Sequence, residues 1–226
     1  MLEAIQSIQV QPANATSKMA TAFLDQPMLR FGDATRATSD GAIWKLGENR
    51  PDVVIAMEFT HSDDRTLLQY EFLCLTDESF DLKTSEGWTW TPSDSAIKWK
   101  TLRAPVSTSA PQRFRQLKQI VRRFSATEVY EGQRYTLRLL VQPIDRYKIP
   151  KTKHDGAVFV FANGTNPEVL VLIESSDEGW KYAFARLCGA APEVTLNGET
   201  VWKKPSMNEI GKSWKLNYTG DAREMD

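Results

Sequence analysis

Histidine and cysteine, the side chains that most often carry acid–base chemistry, metal ligation or nucleophilic attack near neutral pH, are scarce in this chain of 226 residues. Each occurs twice, as His61 and His154 and as Cys74 and Cys188. A zinc site needs three or four Cys, His or carboxylate ligands at workable spacing, and the sequence offers none. A Gly-x-Ser-x-Gly elbow is missing, as is a Gly-rich phosphate loop leading into a helix. The acidic pair Asp63-Asp64 is too short in ligands for a calcium loop. Motif therefore nominates no catalytic residue, no metal and no cofactor. His61, in His61-Ser62-Asp63-Asp64, and His154, in Lys151-Thr152-Lys153-His154-Asp155, read as solvated loop histidines.

Long apolar runs are also lacking. The longest, such as Val169-Leu170-Val171-Leu172-Ile173, are the size of a strand and far short of a membrane span. The N-terminus lacks the basic start and apolar stretch of a secretion signal, which fits a cytoplasmic protein or a mature exported one. Excess charge of either sign is absent, with a formal net charge of -1, and this argues against a surface built wholly for nucleic acid or an anionic membrane. Cys74 and Cys188 sit singly inside apolar strand patterns and read as small buried hydrophobes, a single disulfide being the alternative.

What the chain does have is tryptophan, seven residues of it, and a pattern that occurs twice. Asp40-Gly41-Ala42-Ile43-Trp44 is followed by a turn and Pro51-Asp52-Val53-Val54-Ile55-Ala56-Met57-Glu58. Asp155-Gly156-Ala157-Val158-Phe159 is followed by a turn and Pro167-Glu168-Val169-Leu170-Val171-Leu172-Ile173-Glu174. Both turns carry the Gly and Asn that supply positive φ in a hairpin. The match extends outward, with Leu29-Arg30-Phe31 set against Leu137-Arg138-Leu139 and Tyr70-Glu71-Phe72 against Tyr182-Ala183-Phe184.

Each half reads as about five strands joined by short loops, which favours an antiparallel meander. The expected strands are 28–32, 41–46, 52–60, 67–76 and 79–91, then 136–142, 156–162, 168–174, 180–187 and 193–202. Between the halves, Ser109 and Pro111 open a helix in which Phe114, Leu117, Ile120, Val121 and Phe124 recur at helical spacing. Residues 13–24 are a candidate shorter counterpart. The fold class is α+β, mainly antiparallel β, with two pseudo-symmetric repeats of a helix plus a five-strand meander packed as one body. The divisions expected are 1–107, 108–205 and a C-terminal tail at 206–226 whose last residues are polar and mobile.

Several segments resemble a family of uncharacterised proteins abundant in planctomycete bacteria. They are Arg115-Gln116-Leu117 through Arg122-Arg123-Phe124-Ser125-Ala126, then Leu137-Arg138-Leu139-Leu140 with Pro143 and Arg146-Tyr147, then Asp155 to Phe159, Gly164 to Leu170 and Trp180 to Arg186. The likeness is strongest from about 110 to 205. Members typically begin with a signal peptide, so the resemblance implies a periplasmic or extracellular protein after signal removal. It implies no activity.

The repeated pattern nominates charged residues within apolar strands: Arg30 matching Arg138, Glu58 matching Glu174, and Arg146 near them. These would bind a small charged ligand in a cleft between the halves, or else form a repeated Arg–Glu pair that fixes strand register. One face of the helix carries Arg113, Arg115, Lys118, Arg122 and Arg123 with no acid, a surface for a polyanion or simply a solvated face. Trp88 and Trp90 alternate and could stack on a glycan, although Trp90 also reads as core. The leading expectation is a non-catalytic exported binding or structural protein whose partner is a small charged ligand, a glycan or a protein. The rivals are a hydrolase or transferase with dispersed carboxylates, and a polyanion-binding protein using 111–124.

Overall fold

The computed structural model describes residues 1–33, 37–62, 64–149 and 152–225. Asp63 and Lys151 lie outside the described residues. The elements in chain order are α1 (Leu2–Gln6), β1 (Gln9–Pro12), β2 (Leu29–Asp33), β3 (Thr38–Leu46), β4 (Val53–Ser62), β5 (Arg65–Cys74), β6 (Phe80–Lys83), β7 (Thr89–Trp90) and β8 (Lys100–Leu102). There follow α2 (Ala110–Val121), β9 (Phe124–Tyr130), β10 (Gln133–Lys148), β11 (Asp155–Asn163), β12 (Asn166–Ser176) and β13 (Gly179–Arg186). The chain ends with β14 (Ala191–Leu196), β15 (Glu199–Lys203), α3 (Met207–Ile210) and β16 (Tyr218–Met225). All named strand pairs are antiparallel. Among the described residues no helix is long and apolar enough to cross a membrane.

Two compact units divide the chain, Met1–Ala96 with Lys212–Asp226, and Ile97–Gly211. The boundary thus falls earlier than residue 107, and the tail completes the first unit. Its polar end is β16, which pairs along the whole of β5 from Tyr218↔Leu73 to Met225↔Thr66. Charged and polar side chains suit an edge strand, which one face only buries. The stretch 13–24 forms no helix: the short helix lies earlier, at 2–6, and Phe23 makes an isolated bridge to Leu46.

The first unit holds a five-stranded sheet in the order β16-β5-β4-β3-β2 and a three-stranded sheet in the order β1-β6-β7. Its core joins Trp44, Ile55, Tyr70, Phe72, Phe80 and Trp90 with Ile5 and Ile8 from the N-terminal turn. Trp90 is fully buried and its Nε1 donates to the Leu216 carbonyl at 2.8 Å, so it is core and holds the tail in place. Trp88 is half-buried and stacks on Trp214 with ring centroids 5.9 Å apart.

The second unit is one eight-stranded sheet in the order β15-β14-β9-β10-β11-β12-β13-β8. Strand β10 is long enough to serve two neighbours in turn. Residues 133–137 pair with β9, and from Arg138 onward they pair with β11, with a register shift between Leu140 and Asp145. The bend lets Phe124 on β9 meet Tyr182 and Phe184 on β13, with centroids 5.0 and 5.2 Å apart. The apolar stripe of α2, including Leu117, Ile120 and Val121, joins Phe159, Phe161, Val171 and Ile173 in the same core. Both faces of β11 and β12 are buried, which explains why their sequences are near-continuous apolar runs rather than alternations.

Cys74 and Cys188 are both free and buried. Burial pushes the Cys74 thiol up to about 12, and its Sγ donates to the Thr76 carbonyl at 3.2 Å. Almost no thiolate exists at pH 8, and the thiolate is the reacting form. A Cys188→Ser variant should therefore show no prompt reaction with Ellman's reagent when native, and should release its remaining thiol in guanidinium. Prompt native reactivity would show that β5 opens locally.

Candidate functional site

At one end of the second unit's sheet, Lys153 and His154 before β11, the tight β12–β13 turn and the N-terminal part of α2 come together. Asp155 is the anchor. Its carboxylate accepts from Arg113 Nε at 2.9 Å and from a terminal nitrogen of Arg113 at 3.5 Å. Arg146 stands 3.7 Å away on the same carboxylate. The Arg113 and Asp155 side chains are only 10% and 11% exposed, whereas that of Arg146 is 43% exposed. The remaining Arg113 nitrogen donates to the carbonyls of Ser107 and Thr108 at 3.2 and 2.9 Å. Arg113 thus fastens the segment before α2 to the start of β11 and is not part of the exposed basic face expected of it. The Arg146 guanidinium itself lies over the Phe114 ring, its central carbon 4.2 Å from the centroid, a cation–π contact that seats the charge against α2.

Two hollows of about 470 and 480 Å³ flank this anchor and share Arg113, Lys153 and His154. The second is lined by Arg146, Lys148, Lys153 and Ala110 of the first turn of α2, and among the described residues Asp155 is its only acid. With Asp155 committed to Arg113, the exposed charges that remain are positive. The first turn of α2 carries no acid, and Ser109 makes no side-chain cap. Backbone N–H groups and the helix dipole at that end therefore add positive potential.

His154 links two groups. Its Nε2 lies 3.0 Å from Asp177 Oδ1 and its Nδ1 lies 3.3 Å from Ser175 Oγ. The order Ser–His–Asp is that of a hydrolase, but the chemistry is not available. Ser175 is 1% exposed, and its hydroxyl accepts from the Asp155 N–H and donates to the Asp155 carbonyl, each at 3.2 Å. A nucleophile must reach the substrate, and this one is locked into a strand pair. Asp177 is 88% exposed, so water screens its charge from the ring.

The other nominated residues are dispersed. Glu174 is buried, accepts from the Tyr147 hydroxyl at 3.1 Å and has Lys181 at 3.9 Å. In β10, Tyr147 and Arg146 are consecutive and point to opposite faces, so Arg146 and Glu174 do not share a cleft. Arg138 stands near the opposite end of the strand, opposite Ala162, with a terminal nitrogen donating to the Gly164 carbonyl at 3.0 Å. In the first unit Arg30 pairs with both oxygens of Asp40 at 3.0 and 3.1 Å, and Glu58 accepts from Thr38 at 3.0 Å. Counted from the shared Asp-Gly-Ala, Arg30 opposite Ala42 stands where Arg146 stands opposite Ala157. An Arg–Asp contact at this register occurs in both units, Arg30–Asp40 and Arg146–Asp155. On α2, Arg115 is exposed and Lys118 is half-buried over Phe114 at 4.6 Å, whereas Arg122 and Arg123 are exposed in the turn after the helix and not on the helical face expected of them. Arg123 Nε reaches Asn197 at 3.4 Å.

A second group of titratable side chains, Glu128, Glu168 and Cys188, is buried elsewhere in this unit. Sequence spacing gives no sign of it, because long stretches of chain separate the three. Comparison of the chain with family models, with curated proteins and with solved structures gave no match.

Proposed function

We propose that the protein is a non-catalytic, exported binding protein made of two diverged copies of one unit. In this reading its second unit holds a small anionic ligand, a carboxylate or phosphate ester, against Arg146, Lys148, Lys153 and the first turn of α2. The observation that carries the reading is the 480 Å³ hollow whose exposed charges are all positive over a neutralised Arg113–Asp155 floor. Buried and fully engaged, that floor can hold the cationic side chains in place without competing for the anion. The candidate hydroxyl nucleophile is inaccessible, which favours binding over hydrolysis. Export rests on the family resemblance.

Common ancestry of the units is supported by their order of pairing. In each unit a helix is followed by a strand that pairs with the sixth strand counted from that helix, β1 with β6 and β9 with β14. The second to fifth strands pair in sequence, and the sixth pairs with the seventh. The Arg–Asp pair at the same register is a further point in favour.

Calorimetric titration with inorganic phosphate and with citrate tests the ligand reading. Binding should weaken with salt, and each of Arg146→Glu and Lys148→Glu should reduce affinity by roughly tenfold or more, a loss of about 1.4 kcal/mol. Arg138→Glu, at the far end of β10, should leave it unchanged. Equal loss in all three variants would reduce the effect to net charge and sink the reading. The exposed Arg115, Arg122 and Arg123 support a second reading, polyanion binding along α2 with Lys118. Heparin retention lost in Arg122→Glu/Arg123→Glu but kept in Arg146→Glu would mark that surface as separate.

A further inference from the structure

Three acids from three segments of the second unit meet out of water. Glu128 lies on β9, Glu168 near the start of β12 and Cys188 just beyond β13, and they are 1%, 2% and 5% exposed. One carboxylate oxygen of each glutamate and the thiol sulfur all lie within 4.8 Å of one another. This is neither a patch of surface acids nor a solitary thiol. The backbone is shaped to bring the three together. Phe161 pairs with Val169 while Ala162 pairs with Pro167, so Glu168 is the extra residue of a β-bulge, a feature that re-aims a side chain at the expense of a ladder position. The Leu187 N–H donates to the Glu168 carbonyl at 2.7 Å, tying that bulge to the segment that bears Cys188.

Neighbouring groups then orient the donors. Asn163 Nδ2 donates to Glu128 Oε1 at 2.8 Å. Buried Arg186 donates from Nε to the Cys188 carbonyl and from a terminal nitrogen to the Pro205 carbonyl, each at 2.9 Å. Its other terminal nitrogen donates to the Ala190 carbonyl. The guanidinium thereby fixes the turn on which the thiol sits, the arrangement that outer partners supply around a ligand set.

Charge decides what such a group can hold. Two carboxylates and a thiol this close offer two oxygens and one sulfur to a common centre. As ligands, the two glutamates and the thiolate bring three negative charges, with the Arg186 guanidinium on the Cys188 carbonyl close by. A divalent cation balances the set. Sulfur beside two oxygens selects a borderline ion of the zinc class over magnesium or calcium, which take oxygen alone. Zinc bond lengths place tetrahedral sulfur and oxygen donors about 3.5 Å apart, within reach of small side-chain rotations from the spacing seen.

We infer that Glu128, Glu168 and Cys188 form a buried structural site for a divalent ion of the zinc class, clamping β9, β12 and the turn after β13. Binding releases the remaining carboxyl and thiol protons to solvent, and all three donors bind as anions. The ion is a staple and does not depend on the anion reading given above.

The test uses the full chain expressed with zinc, dialysed against metal-free buffer and assayed for metal, and in parallel loaded with cobalt(II). About one zinc per chain should survive dialysis. The cobalt form should show a thiolate-to-cobalt charge-transfer band, which reports a metal–sulfur bond directly. That band should persist in Cys74→Ser and vanish in Cys188→Ser. Glu128→Gln and Glu168→Gln should weaken cobalt binding by at least the roughly 10- to 100-fold that loss of an outer partner costs. These variants are close in shape to the parent, and circular dichroism checks their fold. A strong chelator should lower the melting temperature of the parent and leave that of Cys188→Ser unmoved. A parent chain that retains no zinc and gives no cobalt band would overturn the inference, leaving a proton-sharing acid cluster. A band unchanged in Cys188→Ser would overturn it equally.

Discussion

Asp155→Ala should destabilise the protein by about 3–5 kcal/mol, the usual cost of leaving one member of a buried ion pair without its partner. The Arg113 side chain is 10% exposed, and Asp155 supplies two of its hydrogen bonds. Truncating the carboxylate leaves the guanidinium with only the Ser107 and Thr108 carbonyls. It also frees Arg146 from its 3.7 Å contact. The urea midpoint should fall with no change in slope. Arg113→Met/Asp155→Ala, which removes both charges and keeps an apolar side chain of similar length, should recover most of the loss. The cycle therefore separates the cost of a stranded charge from the value of the pair itself. A double variant as weak as Asp155→Ala would mean that the Arg113 contacts to Ser107 and Thr108 carry the stability.

That outcome bears on the proposed site, because Arg113 and Asp155 form the floor on which Arg146, Lys148 and Lys153 are displayed. A stranded Arg113 would add positive charge to the hollow. Anion affinity in Asp155→Ala should then rise, or hold, while stability falls. The two quantities move in opposite directions only if the pair is structural and the exposed cations bind.

The hairpins were legible because their signals are local. Asp-Gly-Ala, an apolar run, a Gly/Asn turn and Pro-led strands place β3–β4 and β11–β12 to within a few residues. Helix α2 follows from apolar spacing and the Ser109-Ala110-Pro111 start, but it ends at Val121, and Phe124, which the same spacing assigned to it, opens β9. Strand β9 was hidden because Glu128 occupies an inward position and breaks the apolar alternation of Phe124 and Ala126. Strand β16 was hidden for the opposite reason, being an edge whose alternating side chains are mostly polar. That Arg146 stands opposite Ala157 as Arg30 stands opposite Ala42 was not legible, because β10 is 16 residues long and its register shifts between Leu140 and Asp145, and no composition signal marks such a shift. Arg113 and Asp155 are 42 positions apart and no periodicity connects them, so the site became visible only once α2 was laid against β11.

The second large effect concerns the glycine of that Asp-Gly-Ala. A Cβ built on Gly156 would lie 2.5 Å from a ring carbon of Tyr147, the residue opposite it on β10. A Cβ on Gly41 would lie 2.4 Å from the ring of Phe31, again the residue opposite. In each unit an aromatic side chain lies flat across a strand glycine, covering backbone that would otherwise lack a packing partner. Gly156→Ala forces the ring aside, at about 1–3 kcal/mol for overpacking. Displacing the ring also breaks the buried bond from its hydroxyl to Glu174, now 3.1 Å, adding about 1–3 kcal/mol. The combined loss should therefore reach about 2–6 kcal/mol. Tyr147→Phe isolates the hydrogen bond alone, and Gly156→Ala/Tyr147→Ala removes the collision. If the ring-over-glycine contact is the cause, adding Gly156→Ala to Tyr147→Ala should cost far less than adding it to the parent chain. Additive losses would mean that the space above Gly156 is set by the backbone, and that the ring only rests there.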